Sequence, residues 1–155
     1  LVIHKFEKSN ENVSDGMDIS LVAIDLKTKQ LTFSGANNPL CIVRENIDHS
    51  SEKYVLIEFK GDKQPIGRYA HLNPFTQHQF QLEKGDVLYL FSDGFADQFG
   101  GKEGKKFKYL PFKRELIKMQ NLSMDEQRVR LENLFADWRG NLEQIDDVCI
   151  MGIKM

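Results

Sequence analysis

The chain has 155 residues, a length that suits one domain, or most of one, with a core of its own. Hydrophobic residues make up 41% of the chain and charged residues 28%, as in ordinary soluble globular proteins. The 21 Lys and Arg residues against 23 Asp and Glu residues leave a formal charge of -2, which argues against a dedicated nucleic-acid-binding protein.

Two features of the sequence bear on the cellular compartment. No apolar run is long enough to span a bilayer, and no signal peptide opens the chain. Cys41 and Cys149 each lie in an apolar, strand-like run, and neither belongs to a CxxC or Cys/His cluster typical of zinc sites. We therefore predict two buried, reduced thiols in a cytoplasmic protein.

Most of the chain before residue 92 has the pattern of short strands. Runs of β-branched and apolar residues alternate with clusters of Gly, Pro, Asn and Asp, and the polar residues 27–29 predict a hairpin turn. The predicted strands are 18–25, 30–34, 40–44, 54–59, 76–82 and 87–91. Segment 1–14 is predicted as the end of a helix followed by a loop. The short connections between the strands favour antiparallel pairing.

The pattern changes to a helical period after residue 110. Residues 111–120 and 123–139 predict two helices, and Ser123 with Glu126 three positions later is a capping-box signature for the start of the second. Gly140 suits the end of that helix. A basic run over 102–108 is predicted as a solvated loop, and the final run 148–153 as a buried strand. Helices segregated from several strands favour an α+β fold.

Acidic residues stand where two of the predicted strands end or begin. Asp93 follows strand 87–91, and Asp146 and Asp147 precede the closing strand. If these strands pair antiparallel, the carboxylates meet at one edge of a sheet. Clustered carboxylates repel one another unless a cation neutralises them, and an all-oxygen set suits Mg²⁺ or Mn²⁺. Because Asp is also an ordinary turn residue, spacing alone leaves both interpretations open.

Two segments that contain these acidic residues resemble the signature motifs of a known family. SDGFADQFGG (92–101) and QIDDVCIMGI (144–153) are similar to motifs of the protein phosphatase 2C-like (PPM) family, and most closely of its branch named after stage II sporulation protein E. Three upstream segments are similar to the same branch and follow in the same order: DGMDISLVAID (15–25), FSGANNPL (33–40) and QPIG (64–67).

The resemblance implies a fold, an activity and a metal centre. The implied fold is an antiparallel β-sandwich flanked by helices, with a binuclear Mn²⁺ or Mg²⁺ centre. The implied activity is hydrolysis of phosphoserine or phosphothreonine in bacterial signalling proteins, by a water that two metal ions activate. Carried over by motif, Asp93 and Asp146 are metal ligands and catalytic residues, and Asp147 is a supporting residue of the metal site.

One motif of the family is missing from this sequence. Relatives carry an Asp-x-x-Gly-His-Gly-like stretch upstream, whose Asp bridges the metals, and the residues before Asp15 are too few to hold it. We therefore expect residues 1–155 to be the C-terminal portion of a single phosphatase domain, with an incomplete fold and little activity alone. The alternative is a non-catalytic phosphatase-like module that binds a phosphoprotein or a regulator.

The resemblance also implies partners. The expected substrate is a phosphoprotein such as an anti-anti-sigma-like protein, and a sensor module is expected upstream in the full-length protein. That missing part is also where a membrane anchor would lie. An incomplete sheet would leave strand edges and apolar surface exposed, so a dimer is a further expectation.

Overall fold

The computed structural model describes residues 16–46, 52–67 and 73–155, which contain eleven strands and three helices. The strands are β1 (Gly16–Met17), β2 (Ile19–Asp25), β3 (Gln30–Ala36), β4 (Leu40–Glu45), β5 (Tyr54–Phe59), β6 (Ile66–Gly67), β7 (His78–Gln81), β8 (Val87–Phe91), β9 (Phe99–Gly100), β10 (Lys105–Lys106) and β11 (Ile150–Lys154). The helices are α1 (Gly94–Asp97), α2 (Tyr109–Lys118) and α3 (Met124–Arg139). The predicted helix end and loop in 1–14 lie outside the described residues.

The described residues form two compact units. The first holds 16–40, 58–67 and 73–82, and the second holds 41–46, 52–57 and 83–155. Their ladders β1–β6, β2–β3–β7, β8–β11 and β9–β10 are antiparallel. The predicted α+β class with antiparallel sheets is therefore confirmed. Within the described ranges, no helix combines the length and the hydropathy needed to cross a bilayer.

The first unit is built on the predicted hairpin. Strands β2 and β3 pair along their whole length, and β7 adds a third strand. The turn forms because the Asp25 carboxylate accepts hydrogen bonds from the backbone N–H groups of Lys27 (2.8 Å) and Thr28 (3.1 Å). These two bonds, first the one from Thr28, lower the pKa of Asp25. The short ladder β1–β6 was not predicted, because two residues are too few to show a strand period.

The second unit contains a sheet with the strand order β11-β8-β4-β5. Strand β8 lies inside it, and four of its five residues are buried, in agreement with the unbroken apolar sequence. Helices α2 and α3 pack their apolar residues into the same core. This core includes an aromatic set: Phe91, Phe95, Phe107 and Phe112, with Phe135 and Trp138 at its margin.

The closing strand differs from its prediction in position and in burial. It covers Ile150–Lys154 and lies at the edge of the sheet, so β8 is its single neighbour among the described strands. Met151 is 55% exposed, and Cys149 just before the strand is exposed too. Neither cysteine forms a disulfide, and the prediction of burial holds for Cys41 but not for Cys149. Apolar sequence indicates a strand, whereas burial also depends on what covers that strand.

The two long helices confirm their predictions. Ser123 caps α3 with a complete capping box, in which Ser123 Oγ accepts from the Glu126 N–H and the Glu126 carboxylate accepts from the Ser123 N–H. Gly140 ends α3 with a φ of 55°. The predicted loop 102–108 instead contains β10, paired with β9. Phe99, in β9, is 39% exposed.

A buried polar network joins both long helices to the central strand. The Tyr89 hydroxyl of β8 donates to Gln127 Oε1 of α3 at 2.5 Å and accepts from Gln120 Nε2 at 2.7 Å. Tyr89 is 1% exposed, and this burial raises the pKa of its hydroxyl to about 12; the hydrogen bond from Gln120 acts in the opposite direction.

This pKa predicts a loss of stability in alkali. Between pH 10 and pH 12 the unfolded chain releases the Tyr89 proton while the folded protein retains it, so the free energy of unfolding falls as pH rises. The contribution of Tyr89 should fall by about 1.4 kcal/mol per pH unit in that interval. Urea unfolding of the wild type and of Tyr89→Phe at pH 9 and pH 11 measures this contribution. The titration of the other tyrosines affects both proteins equally and cancels in the difference between them. If the difference in free energy of unfolding between the two proteins were the same at both pH values, the prediction would be wrong.

Candidate functional site

The segment with the SDG motif continues directly from the central strand. Strand β8 ends at Phe91, and α1 begins at Gly94, so Asp93 lies between two regular elements. The rings of Phe91 and Phe95, on either side of Asp93, each lie 4.9 Å from the ring of Phe112 in α2. The backbone around the half-buried Asp93 is therefore anchored on both sides by aromatic packing.

The other acidic segment, 140–149, connects α3 to β11. Asp146 and Asp147 are exposed there. Asp146 Oδ1 accepts a hydrogen bond from the Asp147 N–H at 2.7 Å, and the Gln144 side chain donates to the Asp146 carbonyl at 2.9 Å. The bond from the Asp147 N–H orients the Asp146 carboxylate, and the bond from Gln144 holds the Asp146 backbone.

Ser92 brings these two segments together. Its hydroxyl donates to the Asp147 carbonyl at 2.7 Å and accepts from the Cys149 N–H at 2.9 Å. Its backbone N–H also donates to the Cys149 carbonyl at 3.0 Å. This contact extends the antiparallel pairing of β8 with β11, in which Phe91 lies opposite Ile150. The two strands therefore pair antiparallel, which is the condition that the metal-site hypothesis set.

Gly94 allows a close approach between the same two segments. A Cβ atom at Gly94 would lie 2.5 Å from the carbonyl oxygen and 2.9 Å from the carbonyl carbon of Asp147. Both contacts are shorter than non-bonded atoms tolerate, and both involve backbone. Any residue with a Cβ atom would clash with the backbone here, so this position requires glycine.

We expect Gly94→Ala to destabilise the protein by about 1–3 kcal/mol, because backbone must move to admit the methyl group. Gly152→Ala is the matched control. There the added Cβ would lie 2.6 Å from Met124 Cε, the flexible end of a side chain, so the expected cost is below about 0.5 kcal/mol. Chemical denaturation of both variants measures the difference. Equal stabilities would show that Gly94 does not lie against Asp147 in solution.

The acidic residues offer the kind of ligand atom that a hard divalent cation prefers, but too few of the described ones lie together to form a complete site. Asp93, Asp146 and Asp147 offer carboxylate oxygens, which Mg²⁺ and Mn²⁺ prefer. In the part of the chain that the structure describes, no three His, Cys, Asp or Glu side chains are grouped closely enough to hold a metal ion. The structure brings the backbones of the two acidic segments together, and the roles of the three residues as ligands stay predictions.

The sequence interpretation assigned no role to Ser92 or Gln98, although both lie in the motif SDGFADQFGG. Gln98 is fully buried and donates a hydrogen bond to the Glu143 carbonyl, in the other acidic segment, at 2.9 Å. No sequence pattern distinguishes a buried Gln from a surface one, so this contact had no signal in the sequence.

Comparisons with known proteins agree with this architecture. The SiaA-PP2C domain of Pseudomonas aeruginosa is 26% identical, with a TM-score of 0.82 over 98% of this chain and 57% of that one. The SpoIIE phosphatase domain from Bacillus subtilis is 20% identical, with a TM-score of 0.59 over 89% of this chain and 56% of that one. A longer Bacillus subtilis SpoIIE fragment, with part of its regulatory domain, is 22% identical, with a TM-score of 0.63 over 88% of this chain and 38% of that one.

These structural matches share the phosphatase 2C fold, and this chain spans less than two thirds of the length of each. No curated protein matches the chain. The sequence profile described as stage II sporulation protein E (SpoIIE) matches residues 3–155. Because this match covers almost the whole sequence and the fold agrees with it, the chain belongs to the SpoIIE family of PP2C-type phosphatase domains.

Proposed function

We propose that this chain is the C-terminal part of the catalytic domain of a metal-dependent phosphatase that acts on phosphoserine or phosphothreonine in proteins. The observation that carries the proposal is a pair of hydrogen bonds at Ser92 Oγ, which donates to the Asp147 carbonyl and accepts from the Cys149 N–H. They hold the SDG segment against the DD segment, the two motifs whose acidic residues the proposal needs. Membership of the SpoIIE family supports the reaction class.

Three carboxylates of the chain take two roles in this proposal. Asp93 and Asp146 would hold divalent cations, and Asp147 supports them. Bound Mn²⁺ or Mg²⁺ would supply neutralising charge at the phosphoryl group and a water of lowered pKa. The Asp147 N–H, which binds Asp146 Oδ1, fixes the direction of that carboxylate before any cation arrives. Hydrogen bonds from neighbouring groups commonly preorganise metal ligands in this way.

An incomplete donor set makes a prediction about the 155-residue chain. Since the described residues contain no group of three potential ligands, we propose that a binuclear centre needs a further carboxylate supplied outside them. The chain alone should then show little hydrolysis of p-nitrophenyl phosphate. The full-length gene product should hydrolyse it, lose activity in EDTA and regain it with Mn²⁺. Robust, EDTA-sensitive turnover by the 155-residue chain would refute the need for a further ligand.

The same absence of a ligand group is the observation that favours the alternative, a phosphatase-like module that binds a phosphoprotein without turnover. The two functions are distinguished with one substrate panel. The full-length protein is incubated with serine- and threonine-phosphorylated proteins, including an anti-anti-sigma-like protein, and phosphate release and binding are both measured. Release in the presence of Mn²⁺ supports the enzyme, whereas stable binding without release in any metal supports the module.

A further inference from the structure

A buried glutamine joins α1 to the loop that follows α3. Gln98, directly after α1, is 0% exposed. Its Nε2 donates to the carbonyl of Glu143 at 2.9 Å and to the carbonyl of Phe99 at 3.0 Å. Its own backbone carbonyl accepts from the indole N–H of Trp138 at 3.0 Å. The residue therefore contacts the end of α3 and the loop beyond it at the same time.

The hydrogen bonds determine which way the Gln98 amide points. Both groups that form hydrogen bonds with its side chain are carbonyl oxygens, which only the NH₂ end can satisfy. Within the described residues, Oε1 is buried and accepts no hydrogen bond, an arrangement that costs about 1–3 kcal/mol. An apolar side chain of the same size would avoid that cost but would leave the Glu143 carbonyl without this donor. The two donated bonds are what glutamine adds at this position.

Ser92 makes a second contact with the same loop, from the other side of α1. Its hydroxyl donates a hydrogen bond to the Asp147 carbonyl, while the Gln98 side chain donates one to the Glu143 carbonyl. We call residues 143–147 the acidic loop; it contains Asp146 and has no helix or strand of its own. Every residue of the acidic loop is exposed. The loop is therefore held by these two hydrogen bonds and not by burial.

We propose that Gln98 and Ser92 are positioning residues that hold the two ends of the acidic loop, so that Asp146 is presented to a divalent cation together with Asp93. This inference rests on the proposed function. Neither positioning residue touches the cation or the substrate. Both act through the backbone carbonyls of the acidic loop, and the affinity for the metal depends on both.

The test is Gln98→Met in the full-length gene product, which keeps the side-chain volume and removes both donors. Calorimetric titration with Mn²⁺ alone should show affinity about 10–100-fold weaker than the wild type, the usual effect of losing a residue that orients a metal ligand. Amide hydrogen exchange in residues 143–148 should become faster. Ser92→Ala should act in the same direction, and Ser92→Thr, which keeps the hydroxyl, should restore the affinity.

Gln127→Met is the matched control for general destabilisation. Gln127 is also a buried glutamine (1% exposed), but it bonds Tyr89 and the Leu122 carbonyl rather than the acidic loop. This variant should melt at a lower temperature and keep both the Mn²⁺ affinity and the exchange rates of the wild type while it is folded.

Wild-type affinity and exchange in Gln98→Met would overturn the inference, and so would an equal loss of affinity in Gln127→Met. A wild-type protein that binds no Mn²⁺ refutes the proposed function instead. In that case the exchange rates alone decide whether Gln98 and Ser92 hold the acidic loop: faster exchange supports the positioning role, and unchanged exchange refutes it.

Discussion

Replacing Asp93 or Asp146 by Asn should lower the Mn²⁺-dependent kcat/KM of the full-length gene product by at least about 100-fold. Mutating a residue that merely orients a metal ligand already lowers metal affinity or activity about 10–100-fold, and a ligand itself should matter more. The amide keeps the size of the carboxylate but removes the charge that attracts the cation. Steady-state assays with a phosphoserine protein and titration with Mn²⁺ measure the loss. The titration should show weakened metal binding in both variants.

Asp97→Asn is the control for this pair, because it removes a carboxylate from the end of α1. Asp97 forms an ion pair with Lys106 at 3.0 Å on the surface, and such pairs contribute about 0–1 kcal/mol. Its activity should stay close to that of the wild type. Asp147→Asn should have an intermediate effect, as expected of a supporting residue. Wild-type activity in both Asp93→Asn and Asp146→Asn would end the assignment of these residues as metal ligands.

Phe112→Ala should lower the free energy of unfolding by about 3–5 kcal/mol, the usual cost of deleting a buried aromatic ring. Phe112 is 0% exposed, and its ring packs against the rings of Phe91 and Phe95 on either side of Asp93. Removing it leaves a cavity beneath the segment that carries the predicted ligand. Urea denaturation followed by circular dichroism measures the change in stability.

Leu110→Ala provides the comparison within the same helix. Leu110 is 60% exposed, so its truncation should change stability by no more than about 0.5 kcal/mol. Phe112→Leu, which retains most of the apolar volume, should fall between the two. If Phe112→Ala and Leu110→Ala were equally stable, the aromatic packing around Asp93 would not exist in solution as described.

These two predictions separate the chemistry of the site from its support. Asp93→Asn removes a charge and should leave the fold intact, whereas Phe112→Ala removes packing and leaves every predicted ligand in the chain. Loss of Mn²⁺ affinity in Asp93→Asn at unchanged stability is the expected signature of a ligand. Loss of affinity that merely follows loss of stability is the signature of a residue that supports the fold.

The sequence by itself determined the features that depend on neighbouring residues. Strand periodicity predicted β2, β3, β4, β5 and β8, and the capping box at Ser123 predicted the start of α3. The pairing of β8 with β11 did not follow in this way, because both long helices lie between the two strands in sequence, and the metal-site hypothesis took it only as a condition. The sequence did place the SDG motif directly after strand 87–91 and the DD motif directly before the closing strand. Local preferences carry this information because they act over only a few residues.

Only the tertiary structure decided the features that join residues remote in sequence. The hydrogen bonds of Ser92 and Gln98 to the acidic loop, and the approach of Gly94 to Asp147, depend on where the backbone arrives after long excursions. The exposure of Cys149 could not be read from its apolar neighbours, because burial is a property of what packs against a strand. Sequence patterns thus identified the acidic motifs, whereas packing and hydrogen bonding determine how their backbones are held together.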